Sequence, residues 1–189
     1  MGAGEHGMAP RGRPVPLDTG LEAADTSERG TVARSNMTIF RDHAADRAVD
    51  LVEQTMRGLG IDPAASRTER PGHVAFAMRR GSARILVAIH GPSVELGDGR
   101  LRVVAPVVRL PGNDREASLF RRLLEVNATE LVGAAFAISG NEVVVVTERS
   151  VRDLDASEVD GMIRTVGRVA DRYDDELSTT YGAVRSSDR

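Results

Sequence analysis

The stretch His73-Val-Ala-Phe-Ala-Met-Arg-Arg-Gly-Ser-Ala-Arg-Ile-Leu-Val-Ala-Ile-His90 decides the fold. Val74, Phe76 and Met78 occupy alternate positions, and after Gly81-Ser82 the alternation resumes with Ile85, Val87 and Ile89. A period of two puts successive side chains on opposite faces of a strand. Gly at the first position of a two-residue connection suits a tight turn, so the stretch reads as an antiparallel hairpin. The register that follows sets His73 opposite His90 and Arg79 opposite Arg84. Facing arginines repel. They mark either a slipped register or a positive spot that expects an acidic partner.

Outward from the hairpin the period changes. Upstream, from Asp42 to Leu59, the apolar residues Ala45, Ala48, Val49, Val52, Met56 and Leu59 recur at three- and four-residue steps, which predicts a helix with one buried face that stops at Gly60. Downstream, Gly97-Asp98-Gly99 turns into a third strand over Leu101 to Leu110. Pro106 lies inside it and offers no ladder donor, which predicts an edge strand or a bulge. Asn113 or Asp114 then caps a second helix with Ala117, Phe120, Leu123 and Leu124 on one face. A second hairpin around Gly140-Asn141 joins Leu131–Ile138 to Val143–Val146, and the unbroken valines predict a strand buried on both faces. In the last helix Asp155 and Glu158 form a capping box, Leu154 and Val159 a hydrophobic staple, and an apolar stripe runs from Val159 through Tyr173 to Leu177 over four to five turns. The fold class is therefore α+β: helix, three strands, helix, two strands, helix, with a mostly antiparallel sheet.

Composition narrows the chemistry. The 189 residues contain no Cys and no Trp, and all 25 basic residues are Arg. Disulfides, thiolate nucleophiles, Cys-ligated metals, Schiff bases and the P-loop lysine are excluded together. A net charge of −3 argues against a broad nucleic-acid or anionic-membrane surface. Residues 1–36 hold six Gly, three Pro and nine charges without an aromatic residue, the composition of a disordered tail. Met37, directly before the first apolar residues, is a candidate start of the functional domain, which spans 37–177; residues 178–189 read as a second flexible tail. No stretch resembles a signal peptide or a membrane span, so the expectation is a soluble, cytoplasmic protein.

Leu110-Pro111, Leu123-Leu124-Glu125-Val126-Asn127 and the closing Ala170-Asp171-Arg172-Tyr173-Asp174-Asp175-Glu176-Leu177 resemble the YbjN-like family, which is related in fold to the Tir-type chaperones of type III secretion. The resemblance covers about residues 40 to 177. It implies a small, often dimeric, non-enzymatic module that binds protein segments. The family's Asn after the paired Leu falls on Asn127, read here as a helix-ending or satisfied buried amide rather than a ligand-binding one.

No catalytic constellation emerges. The serines lack a matching base and orienting acid, and there is no G-x-S-x-G elbow. Glu116 and Glu125 stand more than two helical turns apart. Asp171, Asp174, Asp175 and Glu176 lack the pattern of a calcium loop and read as a solvated face. The expectation is no enzyme, no cofactor, no metal and no nucleic-acid partner, but a homodimer that binds a protein or peptide client. An open edge strand would accept it, with Val104 and Val108 as the contact residues. Two alternatives remain: a metal-dependent enzyme around His43, His73 and His90, and a regulatory scaffold domain without a peptide groove.

Overall fold

A computed structural model describes residues 43–93 and 97–188. The expected tail over 1–36 and the start at Met37 lie outside the described residues. Helix α1 spans His43–Gly58, followed by a single 3-10 turn over Pro63–Ala65 and strands β1 (Arg67–Arg70), β2 (His73–Arg80), β3 (Ala83–His90) and β4 (Arg100–Arg109). Helix α2 (Glu116–Thr129), strands β5 (Ala135–Ser139) and β6 (Glu142–Ser150), helix α3 (Ala156–Tyr181) and the short β7 (Val184–Arg185) complete the chain. The described pairings are all antiparallel, in the order β1-β2-β3-β4-β6-β5, with β7 beside β4.

The expected element order holds, and so does the first hairpin's register: His73 faces His90 and Arg79 faces Arg84. Gly81 makes the turn at φ +60°, a backbone conformation open to Gly at little cost. The turn is tied down from α3, where Asp171 accepts a 2.6 Å hydrogen bond from the Ser82 hydroxyl. Two elements escaped the sequence reading. Strand β1, Arg-Thr-Glu-Arg, is exposed at every residue and carries no apolar signal. Strand β7 has two residues, too few for any period.

The closing segment corrects the expectation of a loose tail over 178–189. Helix α3 continues to Tyr181, 26 residues in all rather than four to five turns, and ends on Gly182 in the left-handed conformation. Ala183 and Ser186 are buried, Ser186 N donates to Val107 O at 2.9 Å, and Arg185 pairs with Asp175. The sequence of this stretch is polar because its anchoring is mostly backbone pairing to β4, which needs no apolar pattern.

Pro106 corrects the placement of β4. The strand is not at an edge; it pairs with β6 on one side and with β3 and then β7 on the other, at the centre of the sheet. The missing donor is absorbed by a bulge, where the register with β6 shifts between Pro106 and Val108. One extra residue reverses the facing of everything after it. The valine run on β6 does lie inside the sheet, between β4 and β5, with Val143, Val144 and Val145 buried.

Helices α1 and α3 cover one face of the sheet. Ala48, Val52 and Met56 of α1 and Val159, Ile163, Val166 and Tyr173 of α3 pack with Phe76, Ile85, Val87, Ile89, Leu101, Val103 and Val145 in one cluster. The capping box of α3 is formed as expected: Asp155 Oδ1 accepts from Glu158 N at 2.9 Å and Glu158 Oε2 from Asp155 N at 3.0 Å. Helix α2 is peripheral, lying along β5 and touching α3.

Candidate functional site

Strict alternation on the strands leaves a second set of side chains pointing away from α1 and α3. Ala75, Ala88 and Val144 are buried yet stand outside the cluster under the helices. Around them the pairings line up a row that crosses five strands: Ala77 opposite Leu86, Leu86 opposite Val104, Val104 opposite Val146, and Val146 opposite Ala135. Pro106, Val144 and Ala137 make a parallel row beside it. Leu86 is 41% exposed, Ala77 is exposed, and Val104, Val146, Ala135 and Ala137 are half-buried. No described helix packs on this face; the sheet contacts of α1 and α3 belong to the other one. The result is an apolar band that no described helix covers.

Charge frames the band. On one side Arg102 faces Glu148 at 3.5 Å, and beyond them lie His73, His90 and Arg100 in register. The two rings sit 4.6 Å apart, with 3.3 Å between their Nδ1 atoms. One ring must donate and the other accept, which requires at least one neutral imidazole. Burial, and then the positive charge of Arg102, hold His90 below its ordinary range, against a smaller opposing pull from Glu148. On the other side of the band Arg79 faces Arg84. Among the described residues no three His, Asp or Glu side chains converge as a metal cluster, so His43 does not join the pair.

The guessed contact residues separate here. Val104 lies on the open face, in the middle of the apolar row. Val108, four residues on, would share that face under unbroken alternation, but the bulge turns it to the helix side, where it is fully buried. Sequence reasoning missed Leu86, Val146, Ala135 and Ala137. The signal was present in the hairpin register, which places Leu86 opposite Ala77, but the partner of β3 on its other side is not a local property.

Asn127 does not end its helix. It sits within α2, and its amide bonds both backbone groups of Phe136: Phe136 N–H donates to Oδ1 at 2.7 Å and Nδ2 donates to the carbonyl at 3.1 Å. The side chain imitates a neighbouring strand and occupies the outer edge of β5 at Phe136. Asn127→Ala leaves two part-buried backbone groups unpaired and is expected to cost about 2 kcal/mol in urea denaturation; a loss below a few tenths would contradict this role. The acidic run is likewise used up structurally. Asp171 holds Ser82, Asp175 pairs with Arg185, and Glu176 accepts from Arg122 at 3.0 Å.

The model of the YbjN family, described as "Putative bacterial sensory transduction regulator", matches residues 48–179. The chain belongs to the YbjN family. The match runs from within α1 to within α3 and includes the whole apolar band. Among solved structures, this YbjN-family chain is similar to the ExsC–ExsE complex, at 14% identity and TM-score 0.50 over 69% of this chain and 93% of that one. That likeness is one of fold. Also similar are the HopA1–SchA chaperone–effector complex (9% identity, TM-score 0.49, 71% and 98% of the two chains) and the Yersinia pestis type III secretion chaperone SycH with a fragment of YscM2 (17%, 0.42, 65% and 96%). No curated protein matches the YbjN-family chain significantly.

Proposed function

We propose that the chain is a non-enzymatic, chaperone-like module of the YbjN family that binds an extended segment of a client protein on the uncovered face of its sheet. The carrying observation is the row Ala77–Leu86–Val104–Val146–Ala135, an apolar surface without a described helix on it. Apolar contact of this kind needs no reactive side chain, and it is directional across the strands because the flanking rows are charged. The edge of β5 is occupied by Asn127 at Phe136, so a client held by the face rather than by strand addition at that edge fits the geometry. A solved structure of similar fold, the ExsC–ExsE complex, contains two proteins, which supports a partner-binding role. The family description, a sensory transduction regulator, fits a module that acts by binding.

We further propose a cytoplasmic homodimer. No helix among the described residues is long and apolar enough to cross a membrane. Light scattering should give twice the chain mass for wild type. The client reading is tested separately. A partner captured by cross-linking is identified, its bound segment synthesised, and the segment titrated against wild type and Leu86→Glu. A tenfold or greater loss of affinity in the variant is expected; equal affinity would remove the open face from the account.

A further inference from the structure

We propose that a basin on α3, beside the end of β2, receives an acidic segment of the partner protein, extending the client-binding reading to a second surface. Four guanidinium groups line it, from Arg80, Arg164, Arg168 and Arg172, together with Thr165 and a single carboxylate, Asp171. Arg164, Arg168 and Arg172 recur one turn apart on one flank of α3. Arg80 reaches this flank because residue 167 is Gly. A Cβ there would stand 3.1 Å from Arg80 Cδ and 3.2 Å from Ile85 Cδ1, so the hairpin lies close against the helix only without one.

Half of this positive charge has no ion-pair counterpart among the described residues. Arg164 is held by Asp160 at 2.5 Å and Arg172 by Glu130 at 3.4 Å. Asp171 is engaged with Ser82. Arg80 and Arg168 have no ion pair among the described residues. Like charges at helical neighbour spacing destabilise a helix slightly, and the chain as a whole is acidic, so neither folding nor bulk charge accounts for the cluster. Around the hairpin tip the facing Arg79 and Arg84 carry the positive surface to the margin of the apolar band. An acidic stretch next to an apolar one in the same client would follow that path.

The shape selects a peptide. Four helical residues rise about 6 Å, and alternate side chains of an extended chain repeat about every 6.6 Å, so successive carboxylates meet successive arginines. Single-stranded nucleic acid relies on aromatic stacking platforms. None lines the basin, and the nearby ring of Tyr173 is covered by Arg172 at 5.1 Å.

The test is fluorescence anisotropy with the full chain and a labelled 12-residue peptide alternating Glu with Ala. The paired Arg80→Gln, Arg168→Gln substitution should weaken binding about tenfold, the sum of two solvent-exposed charge contacts, and raised salt should do the same to wild type. Arg121→Gln, on the outer face of α2, should bind as wild type does, and so should Leu86→Glu, which removes only the apolar band. The Gln-for-Glu peptide should not bind. Equal affinity for wild type and the paired variant would overturn the proposal, as would tighter binding of a 12-nucleotide single strand than of the peptide. Loss with Leu86→Glu but not with the paired substitution would also overturn it, leaving the open sheet face as the binding surface.

Discussion

A Val108→Asp chain is expected to be largely unfolded at room temperature, whereas Val104→Asp, on the same strand, stays folded. Val108 has no exposed surface and packs among the residues that meet α1 and α3. A carboxylate there has no cation within the apolar cluster, and the cost of burying it, about 4 kcal/mol or more, approaches the whole stability of a domain this size. Val104 sits half-exposed on the other face, with Arg102 two positions back on the same side of the strand. The same substitution there should cost about 1–2 kcal/mol. Urea denaturation followed by circular dichroism distinguishes the two. Equal destabilisation would mean that the bulge at Pro106 does not reverse the strand and that both valines share a face.

Tyr173→Ala should cost about 3–5 kcal/mol, the usual range for truncating a fully buried aromatic residue. Tyr173 is 1% exposed and joins three elements. Its ring meets Phe136 of β5 edge-on at 5.2 Å, and its hydroxyl donates to Glu130 just past α2 at 2.7 Å. Glu130 also receives Arg122 at 2.9 Å and Arg172 at 3.4 Å. The Tyr173 hydroxyl, then Arg122, hold the Glu130 carboxyl below its usual range, while burial and then Glu130 raise the phenol. Tyr173→Phe keeps the ring and removes only the hydroxyl, so its loss should be clearly smaller than that of Tyr173→Ala. Thermal unfolding of the two variants checks this order. If Phe and Ala at this position were equally damaging, the hydrogen bond rather than the packing would hold α2 and β5 to α3.

What could be read from the sequence depended on range. The Gly81-Ser82 turn fixed its own hairpin, so the facing of His73 and His90 and of Arg79 and Arg84 followed from local pattern alone. The capping box of Asp155 and Glu158 is equally local. Pro106 shows where local reasoning divides. A missing donor is satisfied equally by an edge or by a bulge, and only the position of β6, more than 30 residues later, decides between them. That single ambiguity misplaced Val108 and hid the apolar band, since Leu86, Val104, Val146 and Ala135 form a row only once four strands are in register. Asn127 was legible as a satisfied amide, but its partner, the edge of β5, was not. Strand β1 and the segment after Tyr181 gave no signal because backbone pairing and ion pairs, rather than apolar burial, attach them.

The central claim is that the uncovered sheet face holds a client protein, and photo-cross-linking in the native cell tests it most directly. A benzophenone side chain is placed at Leu86, in the apolar row, and in a second chain at Arg121, on the outer face of α2. A discrete adduct with one protein from position 86, absent from position 121 and lost when Val104→Asp is added, is the predicted result. Adducts from position 121 alone, or none from position 86 with the chain folded and expressed, would contradict the account.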